Sequence, residues 1–245
     1  MLKIENTEVL GWDAAIRGMR NPLNSWEKSD SQFVRDPDYG CFGVCPCAEL
    51  VDCDCCHVGP NDLKLMNTLR NAGTDHRKFM RMITVYLDIT APLYWWKEFD
   101  TYKVGTVANS CSTMHKIADK EFTPEDFSHE HLLSMANNDA GDALFLNDAN
   151  NIRVDGDDLL GLIINVLNYY RGRYIKTKDK LYWWQLIQLL PSSYNQKRTV
   201  MLNYEVLANI YKSRRHHKLD EWHTLCDRIE SLPYSKLITG GVVDE

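Results

Sequence analysis

Hydrophobic and polar positions alternate or recur at helical spacing in several segments and lose all period in others. KIENTEVLGW, residues 3–12, reads as an extended polar strand. It runs into DAAIRGMR, a short helix with Asp13 as N-cap and Ile16 and Met19 on one face. Residues 21–60 hold Pro, Gly, Asp and Cys and read as an irregular excursion. NDLKLMNTLRNAG predicts a helix: Asn61 caps it, Leu63, Met66 and Leu69 form its stripe, and Gly73 ends it. Ile83, Val85, Leu87 and Ile89 then alternate with Thr84, Tyr86 and Asp88, the period of a half-buried strand. Pro92 follows where a helix can begin.

The second half is more helical. Residues 123–158 are polar and loop-rich, with a capped helix start at Thr123-Pro-Glu-Asp. NDANNIRVDGDDLLG is as acidic as a calcium loop but lacks its ligand spacing and closing Glu, so it reads as a turn into a helix. That helix runs from Asp157 to about Lys176 with Leu160, Ile163, Ile164 and Leu167 on one face. After a break at Lys178–Lys180 come LYWWQLIQLLP, ended by Pro191, and one long helical run, NQKRTVMLNYEVLANIYKSRR. LDEWHTLCDRIESL is the last helix and the tail is expected to be disordered. With no internal repeat, the expectation is an α+β fold: one mostly helical domain over residues 1–245 with a small antiparallel sheet.

Composition narrows the function classes. A chain of 245 residues with 44% hydrophobic and 25% charged residues is an ordinary globular protein. Its net charge of -6 excludes a global basic footprint for nucleic acid and leaves only a local patch open. No apolar run reaches the ~20 residues that span a bilayer, and the N-terminus lacks a signal-peptide pattern. A cytoplasmic protein, bacterial or of a phage, with no membrane partner is expected. Seven Trp and twelve Tyr suggest aromatic helix contacts or a pocket for a flat ligand. Of eight Cys, six fall within residues 41–56. Cytosolic thiols in such a cluster read as metal ligands rather than disulfides. Cys41 and Cys45 have knuckle spacing, and with Cys53 and Cys56 they make a candidate zinc set. The C-P-C and C-D-C-C spacings are too tight for standard knuckles, and a solvent-facing loop is the alternative. The set lies in a Cys-rich insertion at about residues 36–60.

The run from Gly105 to Thr113 is a tight turn followed by small hydrogen-bonding side chains, set just after an aromatic helix. The chain also offers anion-pairing groups at Arg17, Arg20, Lys103, Arg214 and Arg215 and amides at Asn109, Asn203 and Asn209. Such groups suit a nucleotide if the fold brings them together, although Ser, Thr and Asn at a helix end can equally be caps.

LMNTLRNAG, TDHRKF, ITVYLDITAPLYWWKEF and VANSCST, followed later by LIQLLPSSYNQKRTVMLNYEVLANIYKSRR and LDEW, resemble the flavin-dependent thymidylate synthases. About half the chain carries the likeness, with a weaker match at AAIRGMRNPLNSW. The resemblance implies that fold, a homotetramer, FAD as cofactor, and NADPH and methylenetetrahydrofolate as co-substrates. The reaction implied is methylation of dUMP or a related one-carbon transfer to a pyrimidine deoxynucleotide. It places His76, Lys103, Asn203, Asn209 and His217 at the cofactor, with His216 the alternative to His217. It places Asn109, Ser110, Ser112 and Arg214 at the substrate, with Arg214 polarising the pyrimidine. In the N-terminal match, Arg17, Arg20 and Ser25 lie near the flavin.

The family's R-H-R motif is not restored. Its positions hold Tyr102, Lys103 and Val104 in one register and Asp100, Thr101 and Tyr102 in the other. Lys103 is the one cation left there, and it lacks the planar fork of Arg. Glu205 stands where the family has Arg. Two readings follow: a divergent flavoenzyme, or a non-catalytic nucleotide- or protein-binding descendant of the fold.

Overall fold

The computed structural model describes residues 2–33, 52–53, 56–134, 144–147, 152–154 together with 155–240. The strands are β1 (Lys3–Leu10), β2 (Gln32–Phe33), β3 (Asp52–Cys53), β4 (Cys56–His57), β5 (Thr84–Pro92), β6 (Val107–Ser110), β7 (Leu144–Asn147), β8 (Ile152–Val154) and β9 (Asn195–Asn203). The α-helices are α1 (Trp12–Arg20), α2 (Pro60–Asn71), α3 (Leu93–Phe99), α4 (Thr113–Lys116), α5 (Gly156–Thr177), α6 (Lys180–Leu189), α7 (Tyr204–Arg214), α8 (Asp220–Glu230) and α9 (Lys236–Thr239). This is the α+β class expected from the sequence.

Five strands form the main sheet in the order β3-β1-β5-β9-β6. β1 lies antiparallel to β5, with Ile4 opposite Ile89 and Val9 opposite Val85, while the short β3 is parallel to β1. The alternation in β5 is the burial pattern observed: Ile83, Val85, Leu87 and Ile89 are buried and the residues between them are half-exposed.

Two compact units divide the chain. One comprises Leu2–Thr90, Phe99–Asn109 and Arg198–Glu245. Its core sets Trp12 edge-on to Tyr204 at 5.4 Å and to Tyr234 at 5.2 Å. Gly11 precedes α1 with φ +95°, and a Cβ there would lie 2.2 Å from the Met82 carbonyl oxygen, so this entry to the helix requires glycine. A buried ion pair fixes α1 to α2: Arg20 Nε donates to Asp62 Oδ1 at 2.6 Å, and the Ser29 and Ser31 hydroxyls donate to Oδ2 of the same carboxylate.

The other unit comprises Ala91–Glu98 and Ser110–Lys197. Phe122, Phe127, Leu160, Ile164, Leu167 and Leu186 build its core. The Asn168 side-chain amide exchanges two hydrogen bonds of 2.9 Å with the backbone of Phe122. Trp95 and Trp96 are buried, and the Trp96 indole donates to the Gln196 carbonyl at 2.9 Å.

Several elements differ from the sequence reading. NQKRTVMLN is a strand rather than the start of a helix. Gln196, Val200 and Leu202 alternate with more exposed neighbours in the sheet, and Asn203 starts α7 by accepting from the Val206 amide at 3.0 Å. NDANNIRV contributes to a strand pair, β7 against β8, before Asp155 and Asp158 close a capping box on α5. α1 begins at Trp12 with Gly11 as its cap, and α2 at Pro60 with Gly59, so Asp13 and Asn61 lie inside their helices. Pro92 ends β5, and the helix starts one residue later. Lys236–Thr239 of the expected tail is helical, while residues 241–245 lie outside the described residues. Among the described residues no helix is long and apolar enough to cross a membrane.

Candidate functional site

Two clefts lie within the unit that holds the main sheet. The first, about 390 Å³, is lined by Phe99, Asp100, Tyr102, Lys103, Thr106 and Ala108. A sharp turn shapes it. Gly105 has φ +77°, and a Cβ there would come within 2.8 Å of Asn203 Nδ2, so the segment can close on the start of α7 only with glycine.

Charge in this cleft is arranged by residues outside it. Arg198 pairs with Asp100 at 2.8 Å and cancels that carboxylate. Lys103 is exposed and has no partner among the described residues. Behind Tyr102 stands Arg214, whose Nε donates to the Tyr102 hydroxyl at 2.9 Å. The guanidinium lies 4.7 Å from the Trp222 ring centroid, and Trp222 stacks on Phe99. A cation on an aromatic face is held there without being neutralised. The Thr106 Oγ1 atom is shielded from solvent and has no hydrogen-bond partner. A buried hydroxyl without a partner costs about 1–3 kcal/mol.

The second cleft, about 540 Å³, is lined by Arg70, Arg77, Asn209, Lys212, Arg215, His216 and Glu230, with Ala208, Tyr211, Ile238 and Thr239. Below it, Glu205 receives Arg77 Nε at 3.1 Å and also binds Arg81. Burial raises the Glu205 pKa, but the hydrogen bonds and charges of Arg81 and Arg77 outweigh it and hold the carboxyl below its ordinary value.

The expected site residues divide between these clefts and other places. Lys103 lines the first, with Arg214 behind its wall. Asn209 and His216 line the second. His217 is half-buried: its ring is edge-on to Trp222 at 6.3 Å, and Nδ1 accepts from the Leu219 amide. Asn203 spends its carbonyl oxygen on capping α7. Asn109 and Ser110 occupy exposed positions of β6, and Ser112 caps α4 by accepting from the His115 amide at 3.2 Å. His76 is exposed and directly precedes Arg77.

Packing places the residues of the N-terminal match. Arg20 is 4% exposed and its guanidinium is taken up by Asp62 and by the Ser25 and Lys28 carbonyls, so it is structural. Arg17 pairs with Asp13 on the surface at 3.6 Å. Cys41 and Cys45 lie outside the described residues, as do the side chains of Cys53 and Cys56. Among the described residues no cluster of His, Cys, Asp and Glu could hold a metal ion. Arg70, Arg77 and Lys212 escaped the sequence reading: they lie far apart in the chain and meet only because α9 and the turn at Arg77–Arg81 each pack against both α2 and α7.

No protein-family model and no curated protein matches the sequence. Solved structures match its fold. A flavin-dependent thymidylate synthase ThyX from Helicobacter pylori, complexed with FAD and dUMP, superposes with a TM-score of 0.60 at 16% identity, over 97% of this chain and 97% of that one. The chain has the fold of that enzyme. A UMP/dUMP methylase, PolB from Streptomyces cacaoi bound with 5-Br UMP, matches at a TM-score of 0.54 and 13% identity, over 98% of this chain and 92% of the other.

The residues present fit a phosphorylated ligand with a planar ring. Both clefts are of ligand size. The first offers an aromatic wall and Lys103, which has no partner among the described residues; the second is basic.

Proposed function

We propose that the protein is a divergent flavin-dependent thymidylate synthase-like enzyme. It would act on a pyrimidine deoxynucleotide, through dUMP methylation or a related one-carbon transfer. The observation that carries this reading is the first cleft: Lys103 lines it beside Phe99 and Tyr102, and Arg214 waits behind Tyr102. The fold it occupies, that of ThyX, supports the same reading.

In this proposal the whole of residues 1–245 is one functional domain. Lys103 pairs with phosphate as a point charge. Asn109, Ser110 and Ser112 face the nucleotide, and Arg214 stabilises negative charge that develops on the pyrimidine ring. His76, Asn203, Asn209 and His217 hold and orient FAD. When bound, the flavin supplies the hydride, with NADPH and methylenetetrahydrofolate as co-substrates. The enzyme works as a cytoplasmic homotetramer.

A second reading has its own observation. Arg20 is sealed in a buried ion pair and Lys103 alone replaces the R-H-R cations, which suits a nucleotide-binding protein without catalysis. Absorbance of the purified protein with added FAD and dUMP separates the two. The enzyme reading expects a bound-flavin spectrum that dUMP perturbs, followed by tritium release from labelled dUMP. A protein that retains no FAD would overturn it.

A further inference from the structure

The end of α5 and the start of α6 are basic in an acidic chain. Residues 169–184 hold five cations, Arg171, Arg173, Lys176, Lys178 and Lys180, against one carboxylate, Asp179. Their net charge is +4, while that of the whole chain is -6. No carboxylate among the described residues pairs with any of the five. Arg171 donates to the Ala118 and Asp119 carbonyls, and the Asp119 carboxylate is held by Lys116. Asp179 accepts from the Leu181 amide at 2.9 Å as the cap of α6. Cations at a helix end ordinarily complement its dipole. The end of α5 supplies about half an elementary negative charge, and the start of α6 directly after it supplies the opposite sign. Most of the positive charge is left over.

Aromatic rings lie among these cations. Arg173 donates to the Tyr182 hydroxyl at 2.8 Å. Lys178 Nζ stands 5.7 Å from the Tyr174 ring centroid, and Lys180 Nζ stands 5.8 and 5.7 Å from those of Trp183 and Trp184. The rings also hold one another. Tyr169 is edge-on to Tyr170 at 5.3 Å, Tyr170 stacks on Tyr182 at 6.4 Å, and Trp183 meets Trp184 at 4.9 Å. The Trp183 indole is fixed by donating to the Met114 carbonyl at 3.1 Å. A ring that stacks on a ligand needs an open face, and Tyr169 is 62% and Trp184 44% exposed. A cation held on a ring keeps its charge, so flat apolar faces and positive charge occupy the same surface.

That mixture selects the partner. A second copy of the chain meeting this surface across a two-fold axis would set like charges against each other. An anionic membrane takes a helix with apolar residues on one face and cations on the other; here Lys180 lies over the Trp rings themselves. A single-stranded nucleic acid brings phosphates for the cations and base faces for the rings on one flexible chain. We infer that the junction of α5 and α6 binds single-stranded nucleic acid, with Lys176, Lys178 and Lys180 against phosphates and Tyr169 and Trp184 against bases. Contacts of this kind read no sequence. The inference goes beyond the functional reading above and shares no residue with it.

Fluorescence anisotropy of a labelled oligothymidylate titrated with the full chain tests it, without flavin. Binding is expected at low salt. Log affinity should fall with log salt at a slope of about -2, the value for three phosphate contacts on a single strand. The double variant Lys176→Gln, Lys178→Gln should bring that slope closer to zero by about 1.4. Trp184→Leu keeps an apolar side chain and removes the stacking face; it should weaken binding by about tenfold with the slope unchanged. Trp184→Phe should retain most of the affinity. All three changes are at exposed positions, and urea midpoints like that of wild type would show the fold intact. Affinity indifferent to the Lys and Trp184→Leu variants overturns the inference. So does an oligothymidylate that fails to bind, whether phosphatidylserine vesicles or self-association occupy the surface instead. Because no flavin enters the titration, its failure leaves the flavoenzyme reading standing, and a protein that retains no FAD leaves this surface standing.

Discussion

Arg214 stands where an aromatic and a polar contact converge. It rests on Trp222, donates to Tyr102 and belongs to the last turn of α7. Arg214→Ala should leave the protein folded, with a loss of about 0.5–2 kcal/mol for the cation on the ring, while abolishing the response of the flavin spectrum to dUMP. A urea melt and a dUMP titration on one preparation separate those effects. Asp62 is the opposite kind of residue. Asp62→Asn would strand a buried guanidinium and should cost about 3–5 kcal/mol, read as a drop in the urea midpoint. Sequence showed Arg214 because a helix end and a family position coincide there. It could not show that Arg20 is consumed by Asp62, since 42 residues separate them.

At the scale of elements, the junction of β9 and α7 carries most of the geometry. Asn203 ends the strand, caps the helix and sits against Gly105. Asn203→Ala should cost about 1 kcal/mol for the lost cap. Gly105→Ala should cost about 1–3 kcal/mol, because a left-handed backbone must be held by a residue that resists it; thermal melts of both variants check these values. The strand half of this junction was misread from sequence for a physical reason. NQKRTVMLN joins directly to a strong helix former, and its polar residues face outward on a strand where they would equally face outward on a helix. The buried pair Val200 and Leu202 has the spacing of a strand, and Asn203 is a capping residue; those two signals mark the boundary. β5 was legible because four apolar residues alternate without interruption, and α5 and α6 because Lys178 and Asp179 separate two clear stripes.

For the molecule as a whole, the helical content, the central strand and the helix order could be read from periodicity. The second cleft could not, since packing alone assembles it. Acid stability is also a property of the whole fold. Burial raises the Asp62 pKa, but hydrogen bonds from Ser31, Ser29 and Arg20 outweigh it, and the value lies below the ordinary 3.8. Glu205 is likewise lowered from 4.5 by its two arginines. For groups lowered in the folded state, the stabilisation is present above their unfolded values and fades as pH falls through the folded ones. Urea midpoints should therefore change little from neutrality down to about pH 5 and fall steeply below pH 4. In Asp62→Asn that acid slope should be shallower. One feature of α7 bears on the behaviour of the molecule when it is occupied. Arg214 and Arg215 share a peptide bond, yet one serves the aromatic cleft and the other the basic one. A ligand that draws either side chain toward it acts on the same final turn of helix. Were both clefts occupied and each ligand to shift that turn, whatever factor the first imposed on the affinity of the second, the second would return to the first.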